Sequence, residues 1–353
     1  MASTTPTRYL ILAEGYSADQ HHGKTMRGVM RYRRDDVVAI LDSERAGETE
    51  DGFPVVGTVD DALCFNPTTA LVGVATQGGR FPPAWLDLIR TCIAEGLDIE
   101  NGLHVFLSDE PELVELAARH GAELRDLRKP PADLSTATGE NLRVPARIVL
   151  TVGSDCAIGK MTVSCELDLE ARRRGHASAM VPTGQTGIAI AGWGISVDAV
   201  VSDFLAGATE RLVVKAHERG GELLWVEGQG SLLHPLYSGV TLGLIHGSVP
   251  HAFVLCHEAR RATLEVDGPQ EYRIPPLPEL VELHERIALP ERPAKVASIA
   301  LNTRLLDEDD AREEIRRTEA ETGLPADDPV RFGAGRLLDA VLAALPDSQL
   351  RDS

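Results

Sequence analysis

Aromatic residues make up only 4% of this 353-residue chain, so whatever core it builds must be mostly aliphatic. Cysteine is scarcer still, with Cys64, Cys92, Cys156, Cys165 and Cys256 scattered along the sequence. No two stand in C-x-x-C spacing, which gives neither a zinc site nor a disulfide framework. Positive charge is also short: 35 Lys+Arg face 54 Asp+Glu, a formal net charge of -19. An acidic body repels phosphate backbones at long range, which argues against nucleic acid and anionic membrane as partners. Long apolar runs are missing too, and none approaches the ~18 residues that a membrane span needs. The opening MASTTPTRYLILAEG turns acidic too soon for a signal peptide. A reducing cytoplasm is the expected compartment and a small molecule the expected partner, with self-association left open.

What is present is ordinary for a globular enzyme, with 43% hydrophobic and 25% charged residues. At roughly 100–200 residues per domain the length suggests two domains. Short apolar runs at Tyr9 to Ala13, Val37 to Leu41 and Ala70 to Ala75 read as buried strands, the last followed by Gly78-Gly79. Pro83 through Ala94 has helical spacing, with Leu86, Ile89 and Ile93 on one face and Gly96 as a stop. Strands alternating with helices imply a parallel sheet of Rossmann type. Lys129 through Gly139 is rich in Pro, Ser, Thr and Ala, which makes it the linker, so the expected domains are 1–139 and 140–353. The alternation then restarts, with strands expected at Ala177 to Val181, Leu223 to Val226, Ala252 to Cys256 and Val296 to Leu301. A closing helix is expected from Gly335 to Leu345, with frayed residues after Pro346. The fold class is α/β: a Rossmann-like domain followed by a P-loop NTPase-like parallel-sheet domain.

The string IVLTV-GSDCAIGKMT-VSCELDLEARRRG carries the clearest chemistry. A strand, Ile148 to Val152, delivers Gly153; after five intervening residues come Gly159 and Lys160, and a helix runs on to Arg174. Glycines let the backbone curl so that N–H groups converge on phosphate oxygens, and the helix N-terminus adds a favourable dipole. Lys160 supplies mobile positive charge. The expected cofactor contacts are therefore Gly153, Ser154, Ile158, Gly159, Lys160 and Thr162, with Asn302, at the end of a later strand, as a rest for a purine ring. One departure matters. Such loops place Ser or Thr directly after the lysine as a Mg²⁺ ligand, but Met161 stands there and Thr162 comes one residue later. On a helix that shift rotates the hydroxyl by ~100°. Phosphate binding survives it, whereas Mg²⁺–ATP chemistry loses its usual ligand, and no metal site is expected.

Three residues are candidates for the catalytic group. Glu227 ends the strand in LLWVEGQGS, where open α/β sheets bind ligands. Asp198, which flanks a short apolar run together with Asp203, is the second. His234 follows the glycine loop, and imidazole titrates near neutrality. Thr183 to Gly187, after another strand, are small enough to line a pocket.

GSDCAIGK resembles the long-form phosphate loop of dethiobiotin synthetase and its amidoligase relatives, and VEGQGSLLHPL resembles their glutamate-glycine strand end. That resemblance carries over Gly153, Gly159, Lys160 and Glu227 as ligand positions; Met161 departs from it. Over nearly the whole chain, GSDCAIGKMT, PTGQTGI, EGQGSLLHP and CHEARR resemble a two-domain family of formerly unknown function that includes D-glutamate N-acetyltransferases. What this implies is acetyl transfer from acetyl-CoA to the amine of a D-amino acid, with the coenzyme's diphosphate in the loop and no catalytic metal. FPVVGTVDDAL and ALVGVATQGG resemble, weakly, the coenzyme-binding half of acyl-CoA synthetases; Lys24 and Thr25, after the first strand, are candidates for ligand contact, and a purely structural or dimer-forming role for this domain stands equally open. Two other readings fit the same loop: an ATP-dependent ligase or kinase with Mg²⁺, and a nucleotide-binding protein without turnover.

Overall fold

The computed structural model describes residues 6–19, 22–74, 83–266 and 269–346, with only the backbone described for 83 and 84. Gly78-Gly79, Ala75 and the residues after Pro346 lie outside these ranges. The chain divides into two compact units, Met1–Lys129 with Gln185–Ser196, and Pro130–Gly184 with Val197–Ser353.

The first unit runs β1 (Tyr9–Leu12), α1 (Lys24–Tyr32), β2 (Val37–Leu41), β3 (Thr49–Glu50), β4 (Phe53–Val56), α2 (Val59–Leu63), β5 (Thr69–Val72), α3 (Pro83–Ala94), β6 (Asp98–Asn101), α4 (Pro111–His120) and β7 (Leu124–Asp126). Its sheet has the order β3-β4-β2-β1-β5-β6-β7, parallel except for the β3–β4 pair. Strands buried on both faces need unbroken apolar sequence, and YLIL and VVAIL supply it. The core is aliphatic around Leu10, Ile11, Leu12, Ile40 and Leu71, with Met26 and Trp85 as its larger members. Thr25 is fully buried, its hydroxyl 3.0 Å from that of Thr186, so it packs rather than faces a cleft; Lys24 is exposed.

The second unit begins with β8 (Arg147–Gly153), α5 (Lys160–Arg173) and β9 (Ser178–Val181). The chain then contributes α6 (Gln185–Ala191) to the first unit before resuming with α7 (Ser202–Glu218), β10 (Leu223–Val226), α8 (Ser238–Ser248), β11 (Ala252–Glu258), α9 (Leu277–Ile287), β12 (Lys295–Asn302), α10 (Glu308–Thr322), β13 (Ala326–Asp327) and α11 (Gly335–Ala344). All six strands are parallel in the order β13-β12-β11-β8-β10-β9. β8 lies between β10 and β11, so the loops after three strands converge at one carboxyl-end crevice, where such sheets bind ligands. Among the described residues, no helix is long and apolar enough to cross a membrane.

Candidate active site

The glycine loop grows directly out of β8. Gly153 ends that strand and lets two side chains of the loop come close: a Cβ there would stand 2.8 Å from Ile158 Cδ1 and 3.1 Å from Lys160 Cδ. Ala157 (φ 53°) and Gly159 (φ 112°) both take left-handed conformations, and this alternation curls successive N–H groups towards a common point. Gly159 precedes α5 with no side chain capping the helix, so the first-turn N–H groups have no side-chain acceptor there. Lys160 is only 6% exposed. Its ammonium donates to the Asp155 carbonyl at 2.6 Å, and burial pulls its pKa below the usual lysine value.

The side chains around the loop fix its shape. Asp155, fully buried, accepts from the N–H groups of Cys156 (2.7 Å) and Glu265 (2.8 Å) and from Arg261 Nη1 (2.8 Å). Arg261 also pairs with Glu258 at 2.9 Å, and Glu258 in turn meets Arg304 at 2.9 Å. The Ser154 hydroxyl lies 2.8 Å from His257 Nδ1, and burial drives that imidazole down to about 4, keeping it neutral. Ile158 places its side chain in the core, while its carbonyl accepts from Asn302 Nδ2 at 3.3 Å. Asn302 is therefore anchored to the loop itself, and a purine ring would have to displace that bond. Met161 approaches Cys165 at 3.9 Å between the sulfurs, and Thr162 is half-buried on the first turn of α5.

Glu227 immediately follows β10 and is 3% exposed. Oε2 accepts from the N–H groups of Thr183 (2.9 Å) and Gly184 (3.1 Å), and Oε1 from Gln229 Nε2 (3.2 Å). Burial outweighs these bonds and pushes its pKa up to about 7, with the negative charge of Asp198 adding to the rise. The next residue ties it to the loop: Gly228 N–H donates to Thr151 Oγ1 at 2.9 Å, and that hydroxyl lies 3.4 Å from the Lys160 carbonyl. Glu227, Lys160 and the loop thus share one centre. Asp198, by contrast, sits exposed on a 3₁₀ turn, and Asp203 is exposed on the first turn of α7.

His234 needs correction as a base. Its Nε2 lies 3.1 Å from the Glu265 carbonyl and so carries the proton, while Nδ1 accepts from the Leu236 N–H at 3.2 Å. Both nitrogens are spent on holding loops. The Gly228 N–H is likewise spent on Thr151, so it offers no donor to a developing oxyanion. Donor atoms of Asp155, Cys156 and His234 lie within 4.8 Å of one another, but a cation there would have to displace the Arg261 guanidinium from the Asp155 carboxylate. Thr151, Asp155, His257, Glu258 and Arg261 also belong to the site, although no motif marks them individually. The available signal was register, because Cys256 pairs beside Gly153 and puts His257 and Glu258 at the mouth of the loop.

A central parallel strand that curls through two glycines into a helix bearing a buried lysine defines a phosphate-loop protein, here joined to a Rossmann-like unit. Residues 135–338 match the model of a "Domain of unknown function (DUF1611_C) P-loop domain", and residues 42–130 that of a "Domain of unknown function (DUF1611_N) Rossmann-like domain". The chain belongs to this DUF1611 family. A solved DUF1611 family protein from Anabaena variabilis ATCC 29413 is 41% identical, with a TM-score of 0.88 over 96% of this chain and 99% of that one. The chain is 37% identical over 342 residues to a protein from Tritonibacter scottomollicae named D-glutamate N-acetyltransferase, covering 96% of this chain and 99% of the relative. A Pseudoalteromonas relative of the same name is 35% identical over 289 residues, covering 82% and 84%.

Proposed function

We propose that this protein moves an acetyl group from acetyl-CoA to the amine of D-glutamate or a similar acidic D-amino acid, with Glu227 as the base. The relatives' shared name supports the reaction. The observation that carries the residue assignment is the buried Glu227 carboxyl, brought to about 7 beside an anion-binding loop. A general base works best when its pKa lies near the working pH. Acetyl-CoA supplies the acyl group. Glu227 takes one proton from the substrate's ammonium, the freed amine forms a bond to the acetyl carbon, the carbon–sulfur bond breaks, and the second proton that the nitrogen sheds passes to the sulfur, so that coenzyme A leaves as its thiol. The Thr183 and Gly184 N–H groups hold the carboxylate in place throughout.

Purified protein given acetyl-CoA and D-glutamate is expected to release free thiol. Absence of release across a panel of D-amino acids would remove the reading, and Mg²⁺-dependent ADP formation from ATP would replace it with the ligase alternative. The pH dependence follows from the base: kcat/KM should rise through about pH 7 and level off above it, because only the ionised carboxylate accepts a proton. Asp198→Asn removes a negative charge that disfavours ionisation, so the inflection should move down. Asp198 is exposed and screened by solvent, so the movement should be small and should shrink further as salt is added. An inflection that moves up, or a profile flat from pH 5 to 9, would contradict the assignment.

A further inference from the structure

We infer that the loop between Gly153 and Lys160 holds a carboxylate of the amino-acid acceptor rather than the diphosphate of coenzyme A. This rests on the acetyl-transfer reading and revises which of its two substrates the loop grips.

The loop calls for an anion. The Lys160 ammonium has three donors, and its hydrogen-bond acceptor among the described residues is the Asp155 carbonyl. A buried ammonium with donors to spare is costly until an acceptor arrives. The left-handed residues Ala157 and Gly159 and the start of α5, with no side-chain cap, present backbone N–H groups beside it.

Glu227 decides which anion. Its neighbour Gly228 approaches so closely that a Cβ there would lie 3.0 Å from Lys160 Cδ, and the Glu227 carboxylate acts electrostatically on the Lys160 ammonium. The base and the anion nest are therefore adjacent. In coenzyme A about a dozen bonds separate the diphosphate from the thioester sulfur, roughly 12–16 Å of extended amide-linked chain. With the diphosphate in the nest, the reacting carbonyl falls well beyond a base at the nest's edge. In an α-amino acid the amine lies within about 3–5 Å of either carboxylate of a glutamate-sized molecule, by the same bond geometry. A carboxylate in the nest sets the ammonium against Glu227, as proton transfer requires. It also explains why the position after Lys160 needs no metal-binding hydroxyl: a carboxylate has no distal phosphate for Mg²⁺ to bridge.

Inorganic phosphate is the probe that separates the two occupants. It should inhibit acetyl transfer competitively against D-glutamate, and non-competitively against acetyl-CoA. Lys160→Met should raise KM for D-glutamate at least tenfold while leaving KM for acetyl-CoA within about twofold, the loss of a charge-assisted contact. Calorimetric titration with D-glutamate alone gives a readout independent of turnover, and the same tenfold weakening is expected there. Phosphate that competes with acetyl-CoA, or a Lys160→Met variant whose defect lies in coenzyme affinity, would overturn the inference. So would unchanged D-glutamate affinity in that variant. An enzyme that binds D-glutamate through Lys160 yet transfers no acetyl group would sink the reaction and leave the nest assignment standing.

Discussion

Glu227→Gln is expected to lower kcat by roughly a hundred- to ten-thousand-fold, the range that a positioned general base supplies. The substitution keeps shape and removes only the proton acceptor. A glutamine oxygen still accepts from Thr183 and Gly184, and the Gln229 amide, 3.2 Å away, can turn to present its oxygen to the new NH₂ group. Stability separates a catalytic role from a structural one. Burial holds the folded-state pKa at about 7, above the 4.5 of a freely exposed glutamate. The folded protein therefore binds the extra proton more tightly between those values, and its stability falls as pH rises from about 4.5 to about 7. Glutamine has no such proton, so the variant should lose this decline and be no less stable than the parent at pH 8. Denaturant unfolding at pH 5 and pH 8, set beside steady-state rates, measures both effects. A variant that is active but unstable would mean that Glu227 holds the crevice together and does nothing to the substrate.

Gly228→Ala should be the most damaging single change to the fold of the site. The added Cβ would lie 1.8 Å from the Thr151 carbonyl oxygen and 2.9 Å from its carbon. Both atoms belong to the backbone of β8, the strand that β10 and β11 flank, so neither can swing aside as a flexible side chain would. Relief requires the chain after β10 to move away from β8, which breaks the Gly228 N–H bond to Thr151 and shifts Glu227. We expect a loss of about 4 kcal/mol or more, the range reserved for strained or overpacked positions, or failure to accumulate folded protein. Gly239→Ala is the control. That glycine lies on α8 with nothing within 4 Å of its Cβ position, and alanine there should be neutral or stabilise by up to about 1 kcal/mol through helix propensity. Similar urea midpoints for the two variants would show that the close approach at Gly228 is easily relieved.

Much of this geometry was legible because the second unit advertises its strands. RIVLTVG and LLWV are near-continuous apolar runs buried on both faces, each ending where a glycine or a carboxylate begins the site. Helix α5 was equally plain, since its glycine start and stop bracket a regular apolar stripe of Val163, Leu167 and Ala171. Strand β6 shows the opposite case. Its sequence DIEN has no apolar pattern, yet Glu100 and Asn101 are buried because Tyr9 Oη donates to Glu100 at 2.9 Å and Asn101 Nδ2 donates to Asp126 at 2.7 Å. Those partners are distant in sequence, and hydropathy cannot see them. The Asp155–Arg261 pair, 106 residues apart, was hidden for the same reason.

The segment from Gln185 to Ser196 carried no signal of where it belongs. Its sequence reads as a small-residue loop after β9, but Thr186 meets Thr25, Gln185 accepts from Arg128 at 3.0 Å, and the Ala189 carbonyl accepts from Arg33 at 3.2 Å, all within the first unit. The glycine loop and its lysine were readable in the sequence. The nearness of Glu227 to Lys160, on which the proposed occupant of the loop rests, was not, because only the β8–β10 pairing creates it.

One buried carboxyl, poised near neutrality beside the glycine loop, is proposed to drive acetylation of an acidic amino acid. The most direct measurement is the yield of N-acetyl-D-glutamate by mass spectrometry, set against thiol released, for the parent and Glu227→Gln side by side at pH 8. One acetylated molecule per thiol in the parent, with almost none in the variant, is the predicted result. Equal acetylation by both proteins, or thiol release without any acetylated amine, would contradict it.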